Sequence, residues 1–185
     1  MQPDNPLTQQ MIAAIRAAFT AVDSVESRAV SKTKVLEWMR SPDIEVRGAL
    51  YSKIRDAALA KRIEPPLQFE DYFNLVVPYF EQCIEHDPDG EWSHSRYLAG
   101  HEFVSWILDF WNKKDVPREK LAEIKHRLGD LYRRGSEDVR EGVINGVLEH
   151  LFENRQLANY FKEWESDPVL GRAYTDAMLW TKKKP

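Results

Sequence analysis

Hydrophobic residues along most of the chain recur at intervals of three and four, the spacing that places side chains on one face of an α-helix. The first such run follows Asn5 and Pro6, which suit the N-cap and the first position of a helix. Its apolar positions are Leu7, Met11, Ile12, Ile15, Phe19 and Val22. The pattern therefore predicts an N-terminal helix, followed by a polar, irregular segment over Asp23–Val30.

Residues that suit helix ends divide the remainder of the chain into further helices. We predict a short helix capped by Ser31, a helix capped by Ser41 with Pro42 at its first position and running to about Lys61, an aromatic helix over 69–84, a helix capped by Ser93 and reaching Trp111, a helix from Pro117 to Arg134, one starting at Ser136, a short one over 157–164, and a last one from near Pro168 that frays at Lys182-Lys183-Lys184. Pro78 should kink or interrupt the aromatic helix. Because no stretch alternates with period two, no strands are expected.

The predicted fold is all-α, an irregular bundle of about eight or nine helices. At 185 residues, one domain over 1–185 accounts for the length. One internal similarity leaves an alternative open, because Asp43–Leu50 and Glu137–Val143 share an acidic start, a Val-Arg pair and a glycine. Helices of stacked repeats often begin this way, so HEAT-like stacked helix pairs are the alternative to an irregular bundle.

Composition restricts the partners and the compartment. The hydrophobic share of 43% and the charged share of 30% are ordinary for a folded domain. The net charge of -4 disfavours nucleic acid as a partner. A single cysteine, Cys83, cannot form an internal disulfide, which fits a reducing compartment. The N-terminal segment has neither a signal-peptide pattern nor a membrane span, so we expect a cytoplasmic protein that does not contact a membrane.

The common signatures of catalysis and metal binding fail in this sequence. His101-Glu102 has no second histidine at the spacing of a zinc protease motif, and Asp87-Pro88-Asp89-Gly90 lacks the later ligands of a calcium loop. Cys83 and His86 are spaced as a thiol and a base on one helix turn would be, but the apolar neighbours of Cys83 favour a buried cysteine. We therefore predict no enzyme, no cofactor and no metal, with an active site of dispersed residues as the alternative.

The candidate binding residues are two tryptophans inside acidic segments near predicted helix ends. A tryptophan can bury a large area at an interface, while surrounding carboxylates steer a basic partner. The predicted partner-binding residues are Asp87, Asp89, Glu91, Trp92, Glu163, Trp164, Glu165 and Asp167. The alternative interpretation is that both rings fold back onto the core and that the acids are solvated.

The C-terminal third resembles a known class of proteins. From Glu137-Asp138-Val139 through Val147-Leu148-Glu149-His150-Leu151 to Trp164 and the closing helix, it resembles small bacterial all-helical proteins of unknown function, some of which are immunity proteins of polymorphic toxins. The resemblance implies a stoichiometric inhibitor that occludes the active site of a cognate toxin, without cofactor or turnover. The acidic composition fits a basic toxin. A helical scaffold or self-associating protein is the rival binding function, and the oligomeric state is left open.

Overall fold

A computed structural model describes residues 5–20, 29–113 and 117–183. The predicted all-α class is confirmed, because helices account for most of the described chain. Internal contacts divide it into an N-terminal unit, Met1–Tyr79 with Asp89–Ser93, and a C-terminal unit, Phe80–Pro88 with His94–Pro185. The single domain predicted over 1–185 stays a prediction. Val22, the segment 23–28 and Lys184 lie outside the described residues.

The N-terminal unit is built mainly from short helices. Its elements are α1 (Pro6–Phe19), β1 (Val30–Ser31), α2 (Lys32–Met39), α3 (Ile44–Ile54), α4 (Ala57–Ala60), β2 (Ile63–Glu64) and the first part of α5 (Phe69–His86). As predicted, Asn5 caps α1 by accepting a hydrogen bond from the Leu7 amide, and Pro6 is the first helical residue. The core gathers apolar side chains from these elements, including Ile15, Val35, Leu50, Ile63 and Leu75.

Three expectations for this unit are wrong in detail. The third helix is capped by Asp43, not Ser41, because the Asp43 carboxylate accepts from the Glu45 amide and also binds the Thr8 hydroxyl. It ends at Ile54, where Asp56 caps the separate helix α4. Two short strands occur where none were expected, and β1 pairs in parallel with β2 through Val30 and Ile63. Two residues per strand are too few to produce an alternating pattern.

Helix α5 continues through Pro78 without an interruption, so the predicted break does not occur, and the kink given as its alternative stays a prediction. A proline inside a helix removes one backbone hydrogen bond, and the remaining bonds of this helix keep the segment helical. The boundary between the two units falls within α5, after Tyr79. Cys83 on its C-terminal part is fully buried, as its apolar neighbours predicted.

The C-terminal unit contains the longer helices. After the end of α5 it comprises α6 (Arg96–Asn112), α7 (Arg118–Arg134), α8 (Glu137–Val143), a π-helical segment (Ile144–Leu148), α9 (Glu149–Phe152), α10 (Arg155–Tyr160), a 3-10 segment (Lys162–Ser166) and α11 (Leu170–Lys183). The predicted ends of α7 at Gly135 and the start of α8 after Ser136 are confirmed. The π segment contacts both α6 and α11.

The start of α6 differs from the prediction. The helix begins at Arg96 and its N-cap position is Ser95, not Ser93. The Ser95 side chain makes no capping hydrogen bond; instead, the Asp87 carboxylate accepts from the Arg96 amide at 2.7 Å. An acceptor nine residues away therefore serves this helix end, which a local capping pattern does not reveal.

Two ion pairs connect α5 to α7 inside the C-terminal unit. Arg127 donates through Nε and Nη2 to both oxygens of Glu81, at 2.8 and 2.6 Å, and Arg134 makes the same two-bond contact with Glu85 at 3.2 and 3.1 Å.

Within residues 5–20, 29–113 and 117–183, no helix combines the length and apolar character needed to cross a bilayer.

Candidate functional site

The backbone of the Asp89–Ser93 loop is held by Glu45 at the start of α3. The two Glu45 carboxylate oxygens accept from the amides of Trp92, at 3.0 Å, and Ser93, at 2.9 Å. On the other side of the peptide, the Tyr79 hydroxyl donates to the Trp92 carbonyl oxygen at 3.3 Å. Three hydrogen bonds from side chains of two helices therefore fix the end of this loop.

Two glycines allow this close approach. A Cβ on Gly48 of α3 would stand 2.2 Å from the Trp92 carbonyl oxygen, and a Cβ on Gly90 would stand 2.0 Å from a carboxylate oxygen of Glu45. Real Cβ atoms do not occupy such positions. Gly48 therefore lets the loop backbone lie on α3, and Gly90 leaves room for the Glu45 side chain.

The side chains of the loop separate into an anchored ring and exposed acids. The Trp92 ring is half-buried against the core of the N-terminal unit. The guanidinium carbon of Arg16 and the ammonium nitrogen of Lys53 lie 5.6 and 6.0 Å from its ring centroid, within cation–π range. Asp89 and Glu91 are exposed. The structure thus brings together three of the predicted binding residues on one loop.

Asp87 belongs to the C-terminal unit and has a structural role there. Its backbone has a positive φ of 46°. Its carboxylate accepts hydrogen bonds from the Arg96 amide and, at 3.5 Å, from the Arg96 guanidinium. Its charge is therefore shared with the N-terminus of α6 and with a cation.

Trp164 in the second predicted segment is a core residue. Only 4% of its surface is exposed, and its ring makes an edge contact with Phe161 at 4.9 Å between centroids. The alternative interpretation, a ring folded onto the core, describes this position. Because the ring faces inward, it is not an exposed anchor.

The carboxylates around Trp164 differ in the hydrogen bonds and ion pairs that they make. Asp167 caps α11, since its Oδ1 accepts from the Val169 and Leu170 amides, and its Oδ2 accepts from Arg133 at 2.7 Å. The Leu170 and Val169 amides, with Arg133, lower the pKa of Asp167 below its ordinary value. Glu163 is exposed and pairs with Lys125 at 2.9 Å, while Glu165 is exposed.

Glu163, Trp164 and Asp167, but not Glu165, line an open groove of about 590 Å³ between α7 and the segment 159–170, called the α7 groove below. Its α7 side carries Lys125, His126, Gly129 and Arg133, and Glu163, Trp164 and Asp167 lie on the other side. The Lys125 ammonium is buried, lies 4.6 Å from the Tyr160 ring centroid and donates to the Tyr160 carbonyl. Burial, together with the charge of Glu163, raises the pKa of the Tyr160 phenol.

Three residues of these surfaces were not among the predicted site residues: Glu45, Lys125 and Arg133. Glu45 lies in the first turn of its helix, and its loop contacts span 47 and 48 residues. Lys125 lies one position from the apolar stripe of α7, where a long side chain can bury its methylenes. The stripe itself predicted α7, but no local signal identified the partner of Lys125 or Arg133.

Within the described part of the chain, no cluster of three or more His, Cys, Asp or Glu residues has the arrangement of a metal site. No family model, curated protein or solved structure matches this sequence. The fold and the surfaces described above are therefore the basis for a functional proposal.

Proposed function

We propose that this protein is a stoichiometric protein-binding inhibitor, an immunity protein that occludes the active site of a cognate bacterial toxin. The observation that carries the proposal is the Asp89–Ser93 loop, which presents two exposed carboxylates from a backbone fixed at Trp92 and Ser93. The resemblance of the C-terminal third to toxin-associated proteins supports the same function.

A fixed backbone matters because association costs conformational freedom. A loop that is already ordered loses little entropy on binding, so more of its contact energy appears as affinity. Glu45 and Tyr79 provide this order through hydrogen bonds to the loop backbone, which leave the side chains of Asp89 and Glu91 exposed. The loop is thus suited to present charge at a defined position.

The two carboxylates determine the kind of partner. Exposed acids attract a basic surface over several ångströms and orient it before contact. The half-buried Trp92 ring beside them can contribute apolar contact area. We therefore propose a basic toxin surface as the partner of this loop. Glu163 and Glu165 remain the second predicted contact and are tested separately.

The test begins with affinity capture by the full-length tagged protein from its native cells, followed by mass spectrometry. The partner is then expressed alone and together with this protein. We expect the partner to stop growth when alone, to be harmless in the presence of this protein, and to bind it one to one.

Three double variants then locate the contact. Asp89→Asn with Glu91→Gln should weaken the complex at least tenfold, the loss expected from charged contacts at an interface. Glu64→Gln with Glu141→Gln removes the same charge from exposed positions elsewhere and should bind as the wild type does. If only the double variant Glu163→Gln with Glu165→Gln loses affinity, the contact lies at that segment and not at the loop. A partner that is harmless when expressed alone would refute the inhibitor function.

The rigidity of the loop has its own test. Glu45→Ala removes both acceptors of the loop amides while leaving Asp89 and Glu91 in place. We expect a lower affinity. Without Glu45 the loop must become ordered during association, and the entropy lost in this ordering makes the free energy of binding less favourable. An unchanged affinity in this variant would show that the loop is ordered without Glu45.

A further inference from the structure

Two histidines on different helices of the C-terminal unit lie in contact. The ring centroids of His101 on α6 and His150 on α9 are 4.4 Å apart, with an angle of 46° between the ring planes. His101 is exposed and the side chain of His150 is 25% exposed, so solvent reaches both rings. The proposed inhibitor function uses neither residue.

Close packing of two backbones brings these rings together. A Cβ on Gly100 of α6 would stand 2.7 Å from the Gly146 carbonyl oxygen, so the two main chains touch at this point. His101 directly follows Gly100, and His150 lies just after the π-helical segment that contains Gly146. Such π-helical turns occur frequently at functional sites. The separation of the two histidines is therefore set by the main chain.

The ring nitrogens of this pair are open to a ligand. Nδ1 of His150 lies 3.4 Å from Oε1 of Glu153, so a carboxylate orients this edge of the ring and leaves Nε2 on the other. In the described part of the chain, Nε2 of His150 and both ring nitrogens of His101 have no hydrogen-bond or ion-pair partner. A histidine whose second nitrogen faces a carboxylate is the usual arrangement of a metal ligand.

The charged residues next to the pair are acidic. Glu102 follows His101, and Glu149 precedes His150. Glu153 follows α9 and contacts the His150 ring. Carboxylates at these positions make the local potential more negative, which favours a cation over an anion.

We infer that His101 and His150 bind a divalent transition-metal ion of the Zn²⁺ type, with water in the remaining coordination positions. Imidazole nitrogen binds Zn²⁺ at about 2.0–2.1 Å, so a shared ion holds the two nitrogens at most roughly 4 Å apart. Ring centroids 4.4 Å apart meet this limit after rotation of the exposed His101 side chain. Two protein ligands make a weaker site than the three or four of known zinc proteins. This site connects α6 to α9 and does not depend on the proposed inhibitor function.

The experiment titrates ZnCl2 into the full chain, without an affinity tag, in a calorimeter. We expect a single site with half-saturation below about 100 µM Zn²⁺. MgCl2 should not bind, because Mg²⁺ prefers oxygen ligands. His101→Gln and His150→Gln should each weaken Zn²⁺ binding by about tenfold or more. The matched control is His126→Gln, which removes a histidine of the α7 groove that pairs with Asp130 and should leave the affinity unchanged.

Trp180 offers a second measurement at the site itself. Its ring makes an edge contact with His150, at 5.4 Å between centroids. Cu²⁺ binds imidazole more tightly than Zn²⁺ does, and it quenches the fluorescence of a nearby tryptophan. We expect saturable quenching of the wild type by Cu²⁺, a much smaller effect in Trp180→Phe, and Zn²⁺ binding by Trp180→Phe that matches the wild type.

His101→Gln changes an exposed side chain and should fold as the wild type does, so this variant alone can refute the inference. Unchanged Zn²⁺ affinity in His101→Gln, half-saturation above about 100 µM, or equal affinities for Mg²⁺ and Zn²⁺ would overturn it. Equal quenching by Cu²⁺ in the wild type and in Trp180→Phe would place the ion elsewhere and overturn it as well.

Discussion

At Gly48, helix α3 approaches the Trp92 carbonyl too closely for any side chain. In Gly48→Ala the new methyl would stand 2.2 Å from that oxygen, so either the loop or the helix must move. We expect the free energy of unfolding to fall by about 1–3 kcal/mol, measured by urea denaturation.

Gly146→Ala is the matched control for this substitution. The nearest atom to its hypothetical Cβ is 3.6 Å away, an ordinary contact, and alanine favours helices more than glycine does. Its stability should be unchanged or higher by about 0.5 kcal/mol. Equal losses in the two variants would mean that the loop does not press on α3.

The ionisation of Asp167 should make the stability of the folded protein depend on pH. Its pKa is lowered by the Leu170 and Val169 amides and by Arg133, so its ionised form stabilises the folded state above the ordinary carboxyl pKa. This contribution is lost as the pH falls through the lowered pKa. Asp167→Asn keeps a capping acceptor but removes the charge.

The difference in stability between the wild type and Asp167→Asn is therefore largest at neutral pH. This difference should shrink as the pH is lowered from about 5 towards 2. Thermal unfolding of both proteins at each pH measures it. A difference that stays constant over this range would show that the carboxylate charge contributes nothing beyond the cap.

On the scale of elements, α5 and α7 offer a direct comparison of ion-pair burial. Glu81 and Glu85 both receive an arginine of α7 through two hydrogen bonds, but the side chain of Glu81 is 11% exposed and that of Glu85 is 32% exposed. Glu81→Gln should lower the free energy of unfolding by about 2 kcal/mol, because the nearly buried Glu81 carboxylate loses its charged contact with Arg127, whose own side chain is 34% exposed.

Glu85→Gln should cost at most about 1 kcal/mol, since water screens the exposed pair. Chemical denaturation of both variants measures the difference. Similar costs at the two positions would indicate that geometry, which the two pairs share, matters more here than burial.

The helix ends show what a local pattern can predict. Asn5, Gly135 and Ser136 act as predicted because their capping groups lie within a few residues of the helix they serve. The start of α3 was predicted two residues early, at Ser41, although Asp43 also offers a local cap: its Oδ1 accepts from the Glu45 amide, and its Oδ2 accepts from Thr8 of another helix. Helix type, periodicity and most caps are therefore local information, whereas the acceptor at the start of α6, Asp87, is supplied by a distant part of the chain.

The two similar segments illustrate the same limit. Asp43–Leu50 and Glu137–Val143 both start helices, and in both the shared glycine gives room to another segment. Gly48 admits the Trp92 carbonyl, and Gly142 admits the side chain of Arg96, which would be 2.4 Å from a Cβ there. The shared glycine is visible in the sequence, but the segment that each glycine contacts is set by the fold.

The candidate binding residues divide along this line as well. Exposed acids at Asp89 and Glu91 could be predicted from composition and from their loop, because nothing in the local sequence buries them. The burial of Trp164 and the capping role of Asp167 depend on the fold of the C-terminal unit. Surface charge was therefore predictable from the sequence, whereas the structural use of individual residues was not.

On the scale of the whole molecule, the net charge of -4 should act on the rate of association with a basic partner. Charge attraction accelerates encounter before contact, and at physiological salt its range is limited to about 8 Å. Raising the salt from about 50 to 500 mM should therefore slow association with the captured partner by tenfold or more, with a smaller change in dissociation.

The Asp89→Asn and Glu91→Gln double variant distinguishes local from global charge in the same kinetic measurement. If the loop meets the partner, its two charges matter more than two at Glu64 and Glu141, and the dependence on salt should become shallower only in the loop variant. Equal slopes in both variants would mean that the overall charge steers the partner and that the loop is not the contact. The dissociation rate reports on contacts that have already formed. If the loop variant changes only the dissociation rate, the two carboxylates lie inside a tight interface, where their direct contacts contribute more to affinity than long-range attraction does.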